Sequence, residues 1–475
     1  MGDLAVIDLL AIERGAVTAP AGCGKTHLIA QSLIRHVDPK PILILTHTNA
    51  GVAALRGRLD KAGVAGKAYR LSTIDGWSMR LIGLFPHRSD IDPDILKLEN
   101  PSRDYPAIRQ GAWRLLEGGH IQDVLSANFS RLIIDEYQDC SDAQHAIVCY
   151  AATALPTCVL GDPLQAIFGF GGSELADWHG DVCKYFPVAG ELDIPWRWKN
   201  AKTESFGVWL LDVRRKLVRG EAIDLSARPP EVKWVQLDGT ANDRLRQIAA
   251  GSIRTPDRDG TVLIIGDSRR PQTHRELASQ IPGAVTVEAV DLRDLVEFAR
   301  TLDFGRPDAL HRVVTFAGSV MVNVGAPNLL NRVSVLRRGT ARKEPTETEQ
   351  AALHFLAKPS PDSAVGLLSA IGKEGGVRQH RPAVLRACLR ALNACDGAEG
   401  NSFYESAIRA REQSRLLGRP LDRRVVSSTL LLKGLEADVA VILDADDLDA
   451  RNLYVAMTRG AKRLIVCSRS PTLNG

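Results

Sequence analysis

Short runs of apolar residues recur along the chain, each closed by a polar turn and followed by a stretch of helical periodicity. Residues 15–18, 41–45, 131–134 and 157–160 form such runs early, and 261–265, 439–443 and 463–466 form them later. Unbroken apolar runs of this length suit strands buried on both faces of a parallel sheet; alternation is expected only where one face meets water. Strands that alternate with helices argue for α/β units. A helix is predicted over 26–34. Between the two groups of strands, residues 301–420 offer few strand-like runs and carry breakers at Gly325-Ala326-Pro327, Lys358-Pro359-Ser360-Pro361 and Gly375-Gly376. That region reads as a mainly helical insertion. A smaller helical insertion is expected over about 74–129, clearest at 105–116, and the charged stretch 337–349 reads as a solvated loop. The organisation expected is a first sheet domain over 1–190, a second over 191–302 and 421–475, and a helical insertion over 303–420.

Composition narrows this picture only slightly. The 475 residues are 45% hydrophobic and 24% charged, with a formal net charge of +4. That balance permits local basic surfaces without demanding them. No run of eighteen apolar residues suggests a membrane span. Met1-Gly2-Asp3-Leu4 lacks the basic start of a secretory signal. The eight cysteines contain no C-x-x-C pair, so buried reduced thiols are expected rather than disulfides or a zinc or iron–sulfur site. The scattered histidines suggest no metal. A cytoplasmic location follows as the expectation.

Two motifs carry chemistry. Ala19-Pro20-Ala21-Gly22-Cys23-Gly24-Lys25-Thr26 fits a phosphate-loop pattern with Ala in place of the first Gly, between an expected strand and an expected helix. Glycines at 22 and 24 let successive backbone N–H groups turn towards phosphates, and the helix N-terminus adds partial positive charge. Lys25 would reach the β and γ phosphates and Thr26 would hold Mg²⁺. The bland alternative is a glycine-rich strand–helix turn. Second, Leu132-Ile133-Ile134 ends in Asp135-Glu136. An acid pair at a strand end suits a metal–nucleotide site, with Asp135 on Mg²⁺ and Glu136 orienting and deprotonating a water. An isolated Asp-Glu could equally cap a helix.

The longer string Asp135-Glu136-Tyr137-Gln138-Asp139 resembles motif II of the UvrD/Rep (superfamily 1A) DNA helicases, and further resemblances follow in order. Thr46-His47-Thr48-Asn49 is similar to motif Ia, which implies DNA-backbone contact by His47, Thr48 and Asn49. Leu160-Gly161-Asp162-Pro163-Leu164-Gln165-Ala166-Ile167-Phe168-Gly169-Phe170 resembles motif III. By that resemblance Gln165 senses the γ-phosphate while Phe168 and Phe170 stack on bases. Trp77 is a further DNA candidate, and all three aromatics could instead be core residues. Pro195-Trp196-Arg197 resembles motif IV, implying that Trp196 stacks on adenine and Arg197 is an arginine finger. Lys433-Gly434-Leu435-Glu436 resembles motif V, with Gly434 and Glu436 near the nucleotide. Tyr454-Val455-Ala456-Met457-Thr458-Arg459 resembles motif VI, with Arg459 the second finger. The resemblance implies two RecA-like parallel-sheet domains with helical insertions, ATP and Mg²⁺ in the cleft between them, and fingers that complete the charge stabilisation on closure.

The chain also departs from that pattern. No Gln precedes the phosphate loop, Thr73-Ile74-Asp75-Gly76-Trp77 lacks the usual His, Leu430 to Leu432 replace polar residues before motif V, and Gly171 stands where an Arg is usual. The nucleotide site is nearly complete while the DNA contacts are eroded. The leading expectation is an ATP-dependent translocase or helicase on single-stranded or forked DNA, moving 3′ to 5′. The alternative is a DNA- or nucleotide-sensing ATPase that regulates a partner nuclease. The compact form also resembles the helicase components of antiviral systems such as Gabija. Because the chain ends soon after motif VI, any nuclease is expected to be a separate protein. A metabolic phosphate-loop kinase is disfavoured by motif VI and the second sheet.

Overall fold

Six of the apolar and half-apolar runs in the first part of the chain assemble into one sheet. These are β1 (Arg14–Thr18), β2 (Ile42–Thr46), β3 (Tyr69–Thr73), β4 (Arg131–Ile134), β5 (Thr157–Gly161) and β6 (Val188–Glu191). Their spatial order is β3-β2-β4-β5-β1-β6, and all five pairings are parallel. The structure is a computed structural model and describes residues 7–169, 174–287, 292–395, 402–416 and 422–474. Every residue of β2, β4 and β5 is buried. Successive side chains on a strand point to opposite faces, and the core divides accordingly. Ile42 and Ile44 pack with α1 (Lys25–Arg35) and α2 (Asn49–Lys61). Leu43 and Leu45 pack on the other face with α3 (Ile74–Leu84).

After α3 come α4 (Pro86–Ser89), α5 (Pro101–Glu117) and α6 (Gln122–Asn128). Asp75, where the resemblance leads one to expect His, explains itself here. Its carboxylate accepts a forked pair of bonds from Arg109 Nε and Nη2, both 2.7 Å, and a third from Gln144 Nε2 at 3.0 Å. It therefore ties α3 to α5 and to α7 (Asp142–Ala151). Beyond β5 lie the short α8 (Cys183–Tyr185), α9 (Trp196–Asn200) and α10 (Glu204–Val218).

The chain divides into two compact units. The first comprises Met1–Trp234, Ala445–Leu464 and Ser470–Gly475, and the second Val235–Asp444 and Ile465–Arg469. The first also holds a small antiparallel pair, β7 (Ile223–Asp224) with β16 (Thr472–Leu473). The second sheet contains β8 (Val232–Gln236), β9 (Val262–Gly266), β10 (Val285–Thr286), β13 (Arg424–Ser428), β14 (Ala437–Ile442) and β15 (Gly460–Ser468), in the order β10-β13-β9-β14-β15-β8. β9 pairs in parallel with β13 and β14, and β13 with β10. Between β10 and β13 a helical body surrounds its own core, in which Phe298, Val313, Phe355, Leu367 and Cys388 are buried. A short antiparallel hairpin, β11 (Met321–Val322) with β12 (Arg378–Gln379), is part of it. The charged stretch expected as a loop is one only as far as Thr346. There Thr346 and Glu349 form a capping box that starts helix Glu347–Ala357. The two-sheet α/β architecture expected from the apolar runs is therefore the one observed.

Candidate nucleotide and nucleic-acid site

β1 delivers the chain into the loop Ala19-Pro20-Ala21-Gly22-Cys23-Gly24, and α1 starts at Lys25. Gly22 and Gly24 take positive φ angles of 72° and 90°, where a side chain would be strained. Space is short as well. A Cβ on Gly22 would lie 2.6 Å from the Trp198 ring, and one on Gly24 would lie 2.9 Å from Trp196 Cδ1. Trp198 is buried, while Trp196 is 44% exposed beside the loop. Cys23 is buried, and that burial, with Asp162 nearby, pushes its thiol up to about 12. All eight cysteines are free.

The ammonium of Lys25 meets both acids that follow β4. Lys25 Nζ lies 2.8 Å from Asp135 Oδ1 and also bonds Glu136 Oε1. Burial opposes the lysine charge, but the two carboxylates outweigh it and hold the ammonium protonated. Burial pushes the Asp135 carboxyl up, with Lys25 pulling against it. Asp135 N donates to Leu45 O at 2.8 Å, which extends the β2–β4 register into the site. Glu136 adopts the left-handed region at φ 57°, ψ 41°, rare for a side-chain-bearing residue and a recurrent mark of functional positions. Thr26 Oγ1 accepts from Arg58 Nη1 at 3.2 Å.

Gln138 Nε2 donates to Glu136 Oε2 at 2.6 Å, while Gln138 Oε1 accepts from Asp162 N at 3.1 Å. It thus bridges the acid pair to the segment after β5. There Gln165 Nε2 donates to Asp162 Oδ2 at 3.0 Å. Asp162 Oδ1 receives Arg214 of α10 through Nε at 3.2 Å and Nη2 at 3.1 Å. Arg197 Nη1 donates to Thr458 O at 2.5 Å, and Arg459 Nε to Val455 O at 2.8 Å; Arg459 is 3% exposed. Helix Ala450–Met457 also reaches the phosphate loop, because Ala21 N donates to Tyr454 Oη at 3.3 Å. Lys25, Asp135, Glu136, Gln165, Trp196, Arg197 and Arg459 all lie in the first unit. Gln138, Arg214 and Tyr454 were not among the sequence candidates. Only the place of Gln138 and Tyr454 within resembling motifs could have signalled them, and nothing in the sequence signalled Arg214.

The nucleic-acid candidates are placed less uniformly. Thr48 Oγ1 accepts from Gly51 N at 3.0 Å and so caps α2, whose first residue, Asn49, is exposed. The rings of His47 and Phe168 lie 5.4 Å apart. Trp77 is 4% exposed, within the core under α3, and does not join them. Phe170 lies outside the described residues. Gly434 and Glu436 belong to the second unit, in the turn before β14, where Gly434 takes φ 80°.

A phosphate loop between a parallel strand and a helix, faced by paired acids at a neighbouring strand end, defines the class of phosphate-loop α/β proteins. Within it, segments 12–110 and 96–178 match the model of the UvrD/REP helicase N-terminal domain. Two curated relatives, an ATP-dependent helicase/nuclease subunit from Lacticaseibacillus casei and its counterpart from Lacticaseibacillus paracasei, are each 35% identical over 103 residues. The aligned part is 19% of this chain and spans only 8% of the relative's length. Among solved structures, the Pif1 helicase from Candida albicans aligns over 97% of this chain and 93% of its own, at 11% identity and a TM-score of 0.39.

Proposed function

We propose that this protein is an ATP-dependent translocase or helicase acting on single-stranded or forked DNA. The observation that carries the reading is the meeting of Lys25 with Asp135 and Glu136 at the mouth of the phosphate loop, within a segment of the UvrD/Rep N-terminal family. The residues fit MgATP. A glycine cradle that a Cβ would fill is closed in by Trp196 and Trp198, and Thr26 and Asp135 offer the one or two oxygens that Mg²⁺ usually takes beside phosphates. Mg²⁺, when bound, would neutralise phosphate charge. Lys25 would shift from the carboxylates to the β and γ phosphates, which releases Glu136 to orient and accept a proton from the attacking water. Gln138, donating to Glu136, would fix which carboxylate oxygen faces that water. Arg197 and Arg459 would meet the γ-phosphate only after leaving the carbonyls they now bond. His47, Asn49 and Phe168 are the residues proposed to meet the DNA strand, and Gly434 and Glu436 are proposed as nucleotide contacts on the strength of the motif resemblance. The polarity proposed is 3′ to 5′.

A second reading is favoured by two observations. The Thr48 hydroxyl is spent on a helix cap, and Leu432, where polar residues were expected, is buried. A weak grip on DNA would suit a sensing ATPase that controls a separate nuclease. ATP hydrolysis with and without a single-stranded oligonucleotide, followed by strand separation on a forked duplex, tests both. Stimulated hydrolysis with unwinding supports the motor, stimulated hydrolysis alone supports the sensor, and absence of hydrolysis overturns both.

A further inference from the structure

At the outermost strand of the first sheet, β3, a groove of about 770 Å³ opens between α3 and α6. None of Lys25, Thr26, Asp135 and Glu136 lines it. β2, β3 and β4 run parallel, and the acids follow the C-terminal end of β4. Pro41, Tyr69 and Phe129, which line the groove, stand at or before the N-terminal ends of the same strands. Nothing in the proposed ATPase cycle uses this end of the sheet.

The lining has two components. Its floor is aliphatic, formed by Leu43, Leu81 and Leu125 of the core and by Leu84 at the end of α3, which is 65% exposed. Arg56, Arg70 and Arg80 line it too, with no carboxylate among the described lining residues. Arg56 and Arg80 are exposed, while Arg70 Nη1 donates to the carbonyls of Gly66 and Tyr69. An aliphatic trough with a one-sign basic rim complements an amphipathic peptide with aliphatic anchors flanked by acids. A nucleic-acid strand fits it less well, because bases stack on open aromatic faces, whereas Trp77 and Tyr69 are only 4% and 7% exposed and the other lining aromatics, Phe85 and Phe129, are half-buried.

We propose that this groove docks an acidic segment of a partner protein, anchored by aliphatic side chains over Leu84 and held by Arg56 and Arg80. The test selects random dodecapeptides, displayed as a library, on the immobilised full chain and measures the winners by fluorescence anisotropy. Enriched sequences are expected to combine Asp or Glu with Leu, Ile or Phe. They should lose at least ~10-fold in affinity on the Arg56→Glu/Arg80→Glu chain and on Leu84→Asp, and weaken with added salt. These positions are exposed, and matching thermal melts of variant and parent confirm that folding is intact. Failure to enrich acidic–aliphatic peptides overturns the proposal. So does undiminished binding to both variants, or competition by an oligothymidine that loses affinity on the same charge reversal, which would make the groove a nucleic-acid surface.

Discussion

Lys25 holds two carboxylates on one ammonium, so in the proposed site phosphates and acids would compete for the same charge. Substituting either side should separate binding from chemistry. Lys25→Ala should lower ATP turnover at least ~10²-fold, the scale of other lost electrostatic stabilisers. Glu136→Gln keeps shape and the bond from Gln138 but not basicity, so nucleotide affinity should persist while steady-state hydrolysis stops. Equal loss of affinity in Glu136→Gln would make that residue structural. A second residue sets a pH dependence. His145 accepts or donates at 2.7 Å to the Tyr137 hydroxyl, and burial lowers its affinity for a proton, with Asp181 and Asp142 pulling the other way. The unfolded chain then binds more protons, so this contribution is complete above roughly pH 6.5, the ordinary histidine value, and is lost as pH falls towards the lower folded value. Urea midpoints from pH 7.5 to 5 should fall more steeply for the parent than for His145→Gln; parallel curves would remove His145 as the cause.

Elements differ in how readily their sequences disclose them. β2, β4 and β5 are covered on both faces, so burial forces unbroken apolar runs, and the pattern located each to within a residue or so. β3 and β6 are edge strands with exposed and half-buried residues, YRLST and VAGE, and left no such trace. The same logic applies to the site. Residues that act through local backbone geometry, such as Gly24 and Lys25, announce themselves by spacing. Arg214 matters through a contact 52 positions away in sequence, which no local pattern encodes. Asp75 belongs to this second kind. Its forked bond with Arg109 joins α3 to α5, and both side chains are largely buried. Asp75→Ala should therefore cost about 1–3 kcal/mol by leaving a guanidinium unsatisfied, seen as a lower urea midpoint with unchanged DNA-free ATPase per folded molecule. An unchanged midpoint would show that α3 and α5 hold together without it.

At the scale of the whole molecule the question is whether hydrolysis becomes movement. Stepping would need a grip on DNA from each sheet domain, and in the proposed reading Asn49, exposed at the start of α2, and the neighbouring rings of His47 and Phe168 would supply the first. Streptavidin displacement from biotin at either end of a single strand reads the outcome directly. Release from the 5′ end alone is expected for 3′ to 5′ motion. Release from the 3′ end alone would reverse the polarity, and release from neither, with DNA-stimulated hydrolysis, would favour the sensing role. No described helix is long and apolar enough to cross a membrane.

The contact of Trp196 with Gly24 gives the molecule an optical readout of its own. Trp196, one of seven tryptophans, is partly exposed, and its indole rests against the loop proposed to receive phosphates, with Lys199 Nζ 5.6 Å from the ring centre. An indole between a cation and an arriving polyanion changes its electrostatic surroundings, so its emission should shift in wavelength or intensity when nucleotide binds. Titrating ATP against intrinsic fluorescence should then report occupancy without any label, and Trp196→Phe should abolish the signal while buried Trp77, Trp178 and Trp198 still emit. A response that survives in Trp196→Phe would place the reporter, and the adenine contact expected of it, elsewhere.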